Sequence, residues 1–587
     1  EIDERLIEGD ELALGAAKYG VARRVSSRIV ELTLEHTRAS GVPCSVQLSL
    51  ANVLDPTVFE RAELAADRLA VDPTQLFFEI SVCHTGGIRP PASWLQAAQR
   101  SPVRLVHSCS DLSVLGPDGS SILGADEIEL PVSALLDEAG QPRPNVPALL
   151  ESWWSNPEGT GTHPGDFASG DMFVVQGGHA LSTAGSWTIS GEGSALWIQP
   201  GGMLTVGDGA LHRLELTGST FQLDGGATYV HDSAAPWDST CFKPGVTRQF
   251  DAASTVVLRA VPLRPDADVA WGNLTVDLAM DPGGDWSWEG NLTRVNGDLT
   301  VTNTGGREMR LVSDGTSALT IYGDLVVDGG DLQLGSDTAA VRVFLSGDLT
   351  VTAGRFGSSG TGIHLVVFAN GPLPRTFTHS GGTLAIANVD WRVDTAVLGL
   401  ASAFTLPAGR VLTVTSPGTL ALAAALTNEG VLQVSGTLRL EPGGSVSAAP
   451  SYGARGRLAY AGGSVSTGPE WGPSGPSAPL YVAIAAGAGQ RVTLSASRTI
   501  VAALDFPGDG TLATAADTMT LGDTCSVTGA GPGRYVHGTL ARVIPTTVSA
   551  PVAFDIGDST HYTPVRVTFG TVGTPGTLVA ATGAPAG

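Results

Sequence analysis

Leucine and valine stand two residues apart at Leu299/Val301, Leu325/Val327 and Leu349/Val351, with a polar or β-branched residue between them. A glycine and an aspartate precede each pair: Gly297-Asp298, Gly323-Asp324 and Gly347-Asp348. Period-two alternation behind a turn pair predicts a short, half-buried strand. The phrases begin 26 and then 24 residues apart (297, 323, 347). A strand unit returning at that interval, with no helical pattern between copies, predicts one coil of a parallel β-helix. Each such strand has too little apolar surface to fold alone; stacking lines up the inward Leu and Val and pairs the backbone between coils. Shorter copies follow, Gly418-Thr419-Leu420-Ala421-Leu422 and Gly436-Thr437-Leu438-Arg439-Leu440, 18 residues apart, so coils are expected to narrow toward that end.

The first quarter follows a different pattern. Spacings over Ala22–Ala39, Pro56–Leu69 and Ala92–Gln99 predict amphipathic helices. Cys44–Leu50, Leu76–Ile80 and Val103–His107 alternate as strands. That order predicts a βαβαβ segment with a parallel sheet. The proline-rich break Gln141–Pro147 separates it from the repeats. The expected domains are an α/β segment over 1–145, a β-helix over 146–523 and a further β module over 524–587. In that last module Tyr562–Phe569 reads as an antiparallel strand with Val565, Val567 and Phe569 on one face.

Composition sharpens this picture. Glycine supplies 76 of 587 residues, roughly twice the ordinary share of about 7 %, and acts as turn punctuation because 42 % of the chain is hydrophobic. A net charge of −24 argues against a nucleic-acid partner, which needs basic surface. Only Lys18 and Lys243 are lysines. Cys44, Cys83, Cys109, Cys241 and Cys525 are too scattered for a disulfide framework or a zinc site. No run of 18 apolar residues is present to span a membrane. The start at Glu1 and the stop at Gly587 read as the ends of a fragment, with any signal peptide removed or upstream.

Candidate chemistry is sparse. Asp281, Asp285 and Asp331 lie in glycine-rich turns and could hold calcium through carboxylate and carbonyl oxygens. The stacked aspartates of the Gly-Asp-Leu phrases read as solvated turn residues in preference to a catalytic row. Two stretches break the rhythm, Val230–Pro265 with His231, Trp237, Cys241, Lys243 and Arg248, and Pro450–Pro479 with Trp471. Insertions of this kind often form a binding face, so His231, Trp237, Lys243, Arg248 and Trp471 are the ligand-face candidates.

Two resemblances add expectations. Ser45-Val46-Gln47-Leu48-Ser49, Asp55-Pro56 and Leu76-Phe77-Phe78-Glu79-Ile80-Ser81 look like the middle of an EAL domain. That resemblance implies a partial TIM-barrel-like segment, a cyclic di-GMP phosphodiesterase or receptor with carboxylate-held metals, and a cytoplasmic setting. Glu79 stands at a metal-binding glutamate of that family. Gln47 replaces an asparagine ligand, Ser108 and Cys109 fall near its paired aspartates, and Glu129 takes the place of its lysine, so catalysis is not expected. From Asp166 onward, Phe173-Val174-Val175, Gly185-Ser186-Trp187-Thr188-Ile189 and Gly201-Gly202-Met203-Leu204-Thr205-Val206 are similar to the opening coils of bacterial secreted β-strand-repeat surface proteins. That family implies a right-handed parallel β-helix exposed on or released from the cell, with a β-sandwich-like cap after it. The resulting expectation is a mainly β, non-enzymatic extracellular or cell-surface protein of structural or adhesion type, meeting polysaccharide or other cell-surface components. A carbohydrate-active β-helix enzyme or carbohydrate-binding module, and a catalytically dead cyclic di-GMP receptor, are the alternatives.

Overall fold

The computed structural model describes residues 150–582, apart from short segments at 151–152, 158–160, 169, 184–185, 208–211, 236–239, 261–268, 279–280 and 370–373. It also describes the backbone of seven strands between residues 29 and 130. The chain divides into two compact units, residues 1–261 and 262–587.

In the first unit, five early strands form one sheet in the order Pro43–Leu50, Ile29–Thr37, Leu76–Cys83, Val103–His107, Ile128–Leu130. Leu76–Cys83 and Val103–His107 run parallel; the other neighbours are antiparallel. The sheet is therefore mixed, where a parallel one was expected. Part of the stretch expected as a helix over Ala22–Ala39 is the strand Ile29–Thr37. Its Val30, Leu32 and Leu34 alternate strictly with Glu31, Thr33 and Glu35, a period of two that outweighs the looser helical spacing. The helices expected over Pro56–Leu69 and Ala92–Gln99 lie outside the described residues.

The rest of the first unit is a parallel β-solenoid with three short strands per full coil. Met172–Val175, Ala195–Ile198, Thr220–Leu223 and Thr247–Phe250 stack as one sheet. Ala180–Thr183, Met203–Val206, Thr228–His231 and Thr255–Leu258 stack as a second, and Trp187–Ser190 pairs with Leu214–Thr217 in a third. Phe173, Leu196 and Phe221 form an inward column, and each is almost fully buried. Trp153 and Phe167 pack on Phe173 and Trp187 at the first described coil, with ring centroids 5.0–5.7 Å apart.

The second unit repeats the same logic at greater length. Leu274, Leu299, Leu325, Leu349, Phe377, Leu400, Leu422, Leu440, Tyr460 and Ile484 stand in register, each opposite the next. None is more than 4 % exposed, so one buried column runs through ten successive coils. Burying each such side chain contributes on the order of 1.5–3 kcal/mol, which is what a strand of four residues lacks on its own. A second column, Trp271, Val295, Ile321, Leu345, Phe368, Val393, Val414, Val434 and Tyr452, lines the next wall. The coils are of the right-handed type. Their length falls from 26 residues (299 to 325) to 18 (422 to 440) and then rises again to 24 (460 to 484), so the narrowing that the shortening phrases predict is local.

The insertions are smaller than the sequence suggests. Thr247–Phe250 and Thr255–Leu258 are ordinary rungs inside the stretch expected as one loop. Thr247-Arg248-Gln249-Phe250 hides its strand character by carrying polar residues at three of four positions. In the later stretch Ser451–Tyr452, Arg457–Ala461 and Val465–Ser466 are also rungs, leaving the irregular chain to 467–479. Here the wall ending at Ser451–Tyr452 stops, and a new one begins at Val465–Ser466 and continues through Arg491–Thr493.

Parallel stacking runs on to Gly557, beyond the point where a separate module was expected. Antiparallel pairing then enters: Gly576–Ala581 lies along Thr539–Ile544, and Val565–Val567 along Val552–Phe554. The first of these strands covers an edge that a parallel wall would otherwise leave open.

Candidate functional site

The turn aspartates of the Gly-Asp-Leu phrases have a structural task. Asp298 Oδ1 accepts the backbone N–H of Asp324 at 2.8 Å, Asp324 Oδ1 accepts that of Asp348 at 2.8 Å, and Asp348 Oδ1 accepts that of Thr376 at 2.8 Å. Asn273 Oδ1 begins the series by accepting the N–H of Asp298 at 2.9 Å. Each carboxylate therefore satisfies a donor of the following coil that strand pairing does not reach. The aspartates remain turn residues open to solvent, Asp298 exposed and Asp324 and Asp348 half-buried, and carry this bond besides. The preceding glycines are required for the same reason: a Cβ on Gly347 would meet Asp324 Oδ1 at 2.3 Å and Gly323 O at 2.2 Å.

Asp285 and Asp331 share a charged strip with Glu308, Arg310 and Arg355. Glu308 stands opposite Asp331, Asp331 opposite Arg355, and Arg310 opposite Gln333. Arg310 lies 2.6 Å from both Asp285 and Glu308. Arg355 bridges two coils, 3.4 Å from Glu308 and 3.3 Å from Asp331. Burial raises the Asp331 carboxyl, opposed by Gln333 and Arg355. Asp281 pairs with Arg307 at 2.6 Å, which holds its carboxyl at about 2. Asp281, Asp285 and Asp331 thus each face an arginine. Among the described residues no three His, Cys, Asp or Glu side chains converge to hold a metal.

The ligand-face residues are dispersed. His231 is a rung of the inner wall, opposite Val206 and Leu258, fully buried and hydrogen-bonded through Nδ1 to Tyr229 OH at 3.1 Å. Burial lowers it to about 4 and pushes the adjacent Cys241 thiol up to about 12, so the pair is a neutral packing element. Lys243 binds Glu215 at 2.8 Å and Thr217 at 2.7 Å, and its carbonyl accepts from Arg248 at 2.9 Å. Trp237 lies outside the described residues. Trp471 is fully buried 6.3 Å from the Tyr460 ring, beside Glu470, whose Oε1 accepts from Tyr460 OH and the Gly468 N–H. It fills the joint where one wall gives way to another. His231 and Trp471 are therefore removed from any binding face.

In the N-terminal sheet Gln47, Thr33, Glu79, Arg104 and Glu129 stand opposite one another across five strands. This row contains the metal-site candidate Glu79.

Sequence reasoning missed an open groove on the first unit, about 570 Å³ in volume. The segments 153–157 and 162–164 pass beside the first coil. Trp153 turns into the core, while Trp154 stays 45 % exposed and packs on His163 with ring centroids 4.1 Å apart. Asp171, Met172, Gln176 and Gln199 line the groove from the coil side. The signal was the Trp153-Trp154 pair: neighbouring residues in an extended chain cannot both face one core.

No family model, no curated protein and no solved structure matches the chain.

Proposed function

We propose that the chain is a non-enzymatic β-helical protein of structural or adhesion type, acting outside the cell or on its surface. The fold supports the coarser part of this reading, a long parallel solenoid. The observation that carries it further is how the coils use their charges. The turn carboxylates bind the backbone of the following coil. The outward carboxylates of successive coils face arginines. General acid–base work needs a carboxyl free to exchange a proton with substrate. A carboxylate held by a guanidinium is poorly suited to that and well suited to fixing neighbouring coils.

Two measurements test the proposal. Antibody labelling of unbroken source cells should find the protein, and external protease should remove the signal. Detection only after lysis would overturn the extracellular assignment. Purified full-length chain incubated with a panel of polysaccharides should release no new reducing ends and no unsaturated uronate products. Turnover abolished by Glu308→Gln would overturn the non-enzymatic reading and place catalysis on the charged strip.

A further inference from the structure

Three features have the makings of a site: the buried Tyr229–His231–Cys241 cluster, the charged strip around Glu308, and the groove beside Trp154. The first is sealed from solvent and electrically neutral. The second is saturated by its own ion pairs. The third is open, and its chemistry is selective.

An exposed indole leaves a large apolar ring face in water, and here it is kept in place by packing on His163. The His163 ring is itself anchored, because Nδ1 donates to the Trp153 carbonyl at 2.7 Å. Since a carbonyl only accepts, the neutral ring carries its hydrogen on Nδ1 and leaves Nε2 as an acceptor. Gln176 Nε2 donates to the Pro157 carbonyl at 3.0 Å, tying the segment 153–157 to the first coil. The platform is therefore built before any ligand arrives, which lowers the ordering cost of binding.

The polar lining decides the ligand class. Gln176 and Gln199 offer planar amides that both donate and accept, and Asp171 offers a carboxylate. No lysine or arginine is among the residues that line the groove. An anionic ligand would meet Asp171 with no cation to offset it. The outward face of the neighbouring coils carries similar groups, with Val174, Trp197, Gln222 and Gln249 opposite one another in succession. Asp224 fixes the ring of Trp197 through Nε1 at 2.8 Å and the amide of Gln222 at 2.9 Å. A flat ring for a C–H face, with amides and a carboxylate for vicinal hydroxyls, matches an uncharged sugar. At about 570 Å³ the groove falls within the range of about 300–1,000 Å³ in which small-ligand sites lie.

We propose that this groove binds a neutral oligosaccharide, with Trp154 as the stacking platform and Asp171, Gln176 and Gln199 as the hydroxyl-binding groups. The site is separate from the scaffold role and does not depend on it.

The test is calorimetry and saturation-transfer NMR of the full chain with β-1,4-glucan, β-1,4-mannan and α-1,4-glucan hexaoses. A galacturonate hexamer is the anionic control, and a valine- and threonine-rich peptide tests strand addition beside Met172–Val175. At least one neutral hexaose should bind saturably with Kd below about 1 mM. Trp154→Ala should weaken it about tenfold or more and Asp171→Ala several-fold, with far-UV circular dichroism unchanged. Three results would overturn the proposal: no neutral sugar bound, stronger binding of the galacturonate or the peptide, or sugar binding that Trp154→Ala leaves intact. If Trp154→Ala perturbs the fold, the Asp171→Ala affinity decides on the same terms.

Discussion

The coils from Asn273 to Val351 and those from Val397 to Leu440 bury the same kind of column yet close their turns differently. In the wide coils a side-chain carboxylate reaches the next turn, as Asp324 does for Asp348. At the matching turn of the narrow coils carbonyls serve instead, the Thr437 N–H donating to Gly418 O at 2.9 Å and the Gly436 N–H to Val414 O at 3.0 Å, while on another wall the Asp390 carboxylate still accepts the Val411 N–H at 3.0 Å. At this turn the wide coils add a side-chain acceptor to the backbone pairing that also joins them, such as the Gly323 N–H donating to Gly297 O at 2.9 Å. The apolar column is common to both regions; the carboxylate ladder at this turn belongs to the wide coils.

The largest effect should come from the shared column. Leu325→Ala and Leu440→Ala should each cost about 2–5 kcal/mol in urea titrations, because both leave a cavity between two rungs. A much smaller loss in the narrow coils would mean the column is not the common support. Next, Gly347→Ala should destabilise the wide coils by on the order of 2 kcal/mol, since the new methyl must displace backbone.

Asp324→Ala should cost about 1–2 kcal/mol by orphaning the Asp348 N–H, whereas Asp324→Asn should retain most of the stability. Asn273 already fills the same role two coils earlier, and Asn carries the same acceptor. Equal losses in the two variants would show that charge, not acceptance, matters.

Acid should act on the wide coils through His364. Its Nδ1 accepts the Val341 N–H at 3.2 Å and its Nε2 faces Ser358 Oγ at 2.8 Å, a neutral arrangement that protonation of Nδ1 breaks. Burial lowers this histidine from 6.5 to about 4. The unfolded chain therefore takes up the proton first as pH falls. Stability is full above about pH 6.5 and declines toward pH 4. The urea midpoint should follow that course, and His364→Gln should flatten it. The smallest effect belongs to the surface: Arg355→Gln should cost less than about 1 kcal/mol, because its partners are partly solvated.

Much of this was legible from residue order. Leu299, Leu325 and Leu349 announce the stack by period and interval, and the turn glycines mark where coils meet. The destination of the aspartate oxygens was not legible, because it depends on the neighbouring coil. Alternation alone also could not separate rung from loop where polar residues crowd a strand, as at Thr247–Phe250. His231 misled for a related reason: a histidine in the inward position of a rung has the same local sequence signature as one on a loop. The groove was hidden because its lining comes from the segments 153–157 and 162–164 and from two coils. Trp154 reads as one more aromatic until Trp153 is seen to have taken the place in the core.

The chain of side-chain acceptors from Asn273 to Asp348 has a direction, with each link handed forward and none handed back. A duplicated segment of that length would bring along both the group that receives from its predecessor and the group that gives to its successor. Such a protein can gain or lose whole turns in the course of evolution without redesigning either end, and its span becomes a heritable, stepwise-adjustable trait.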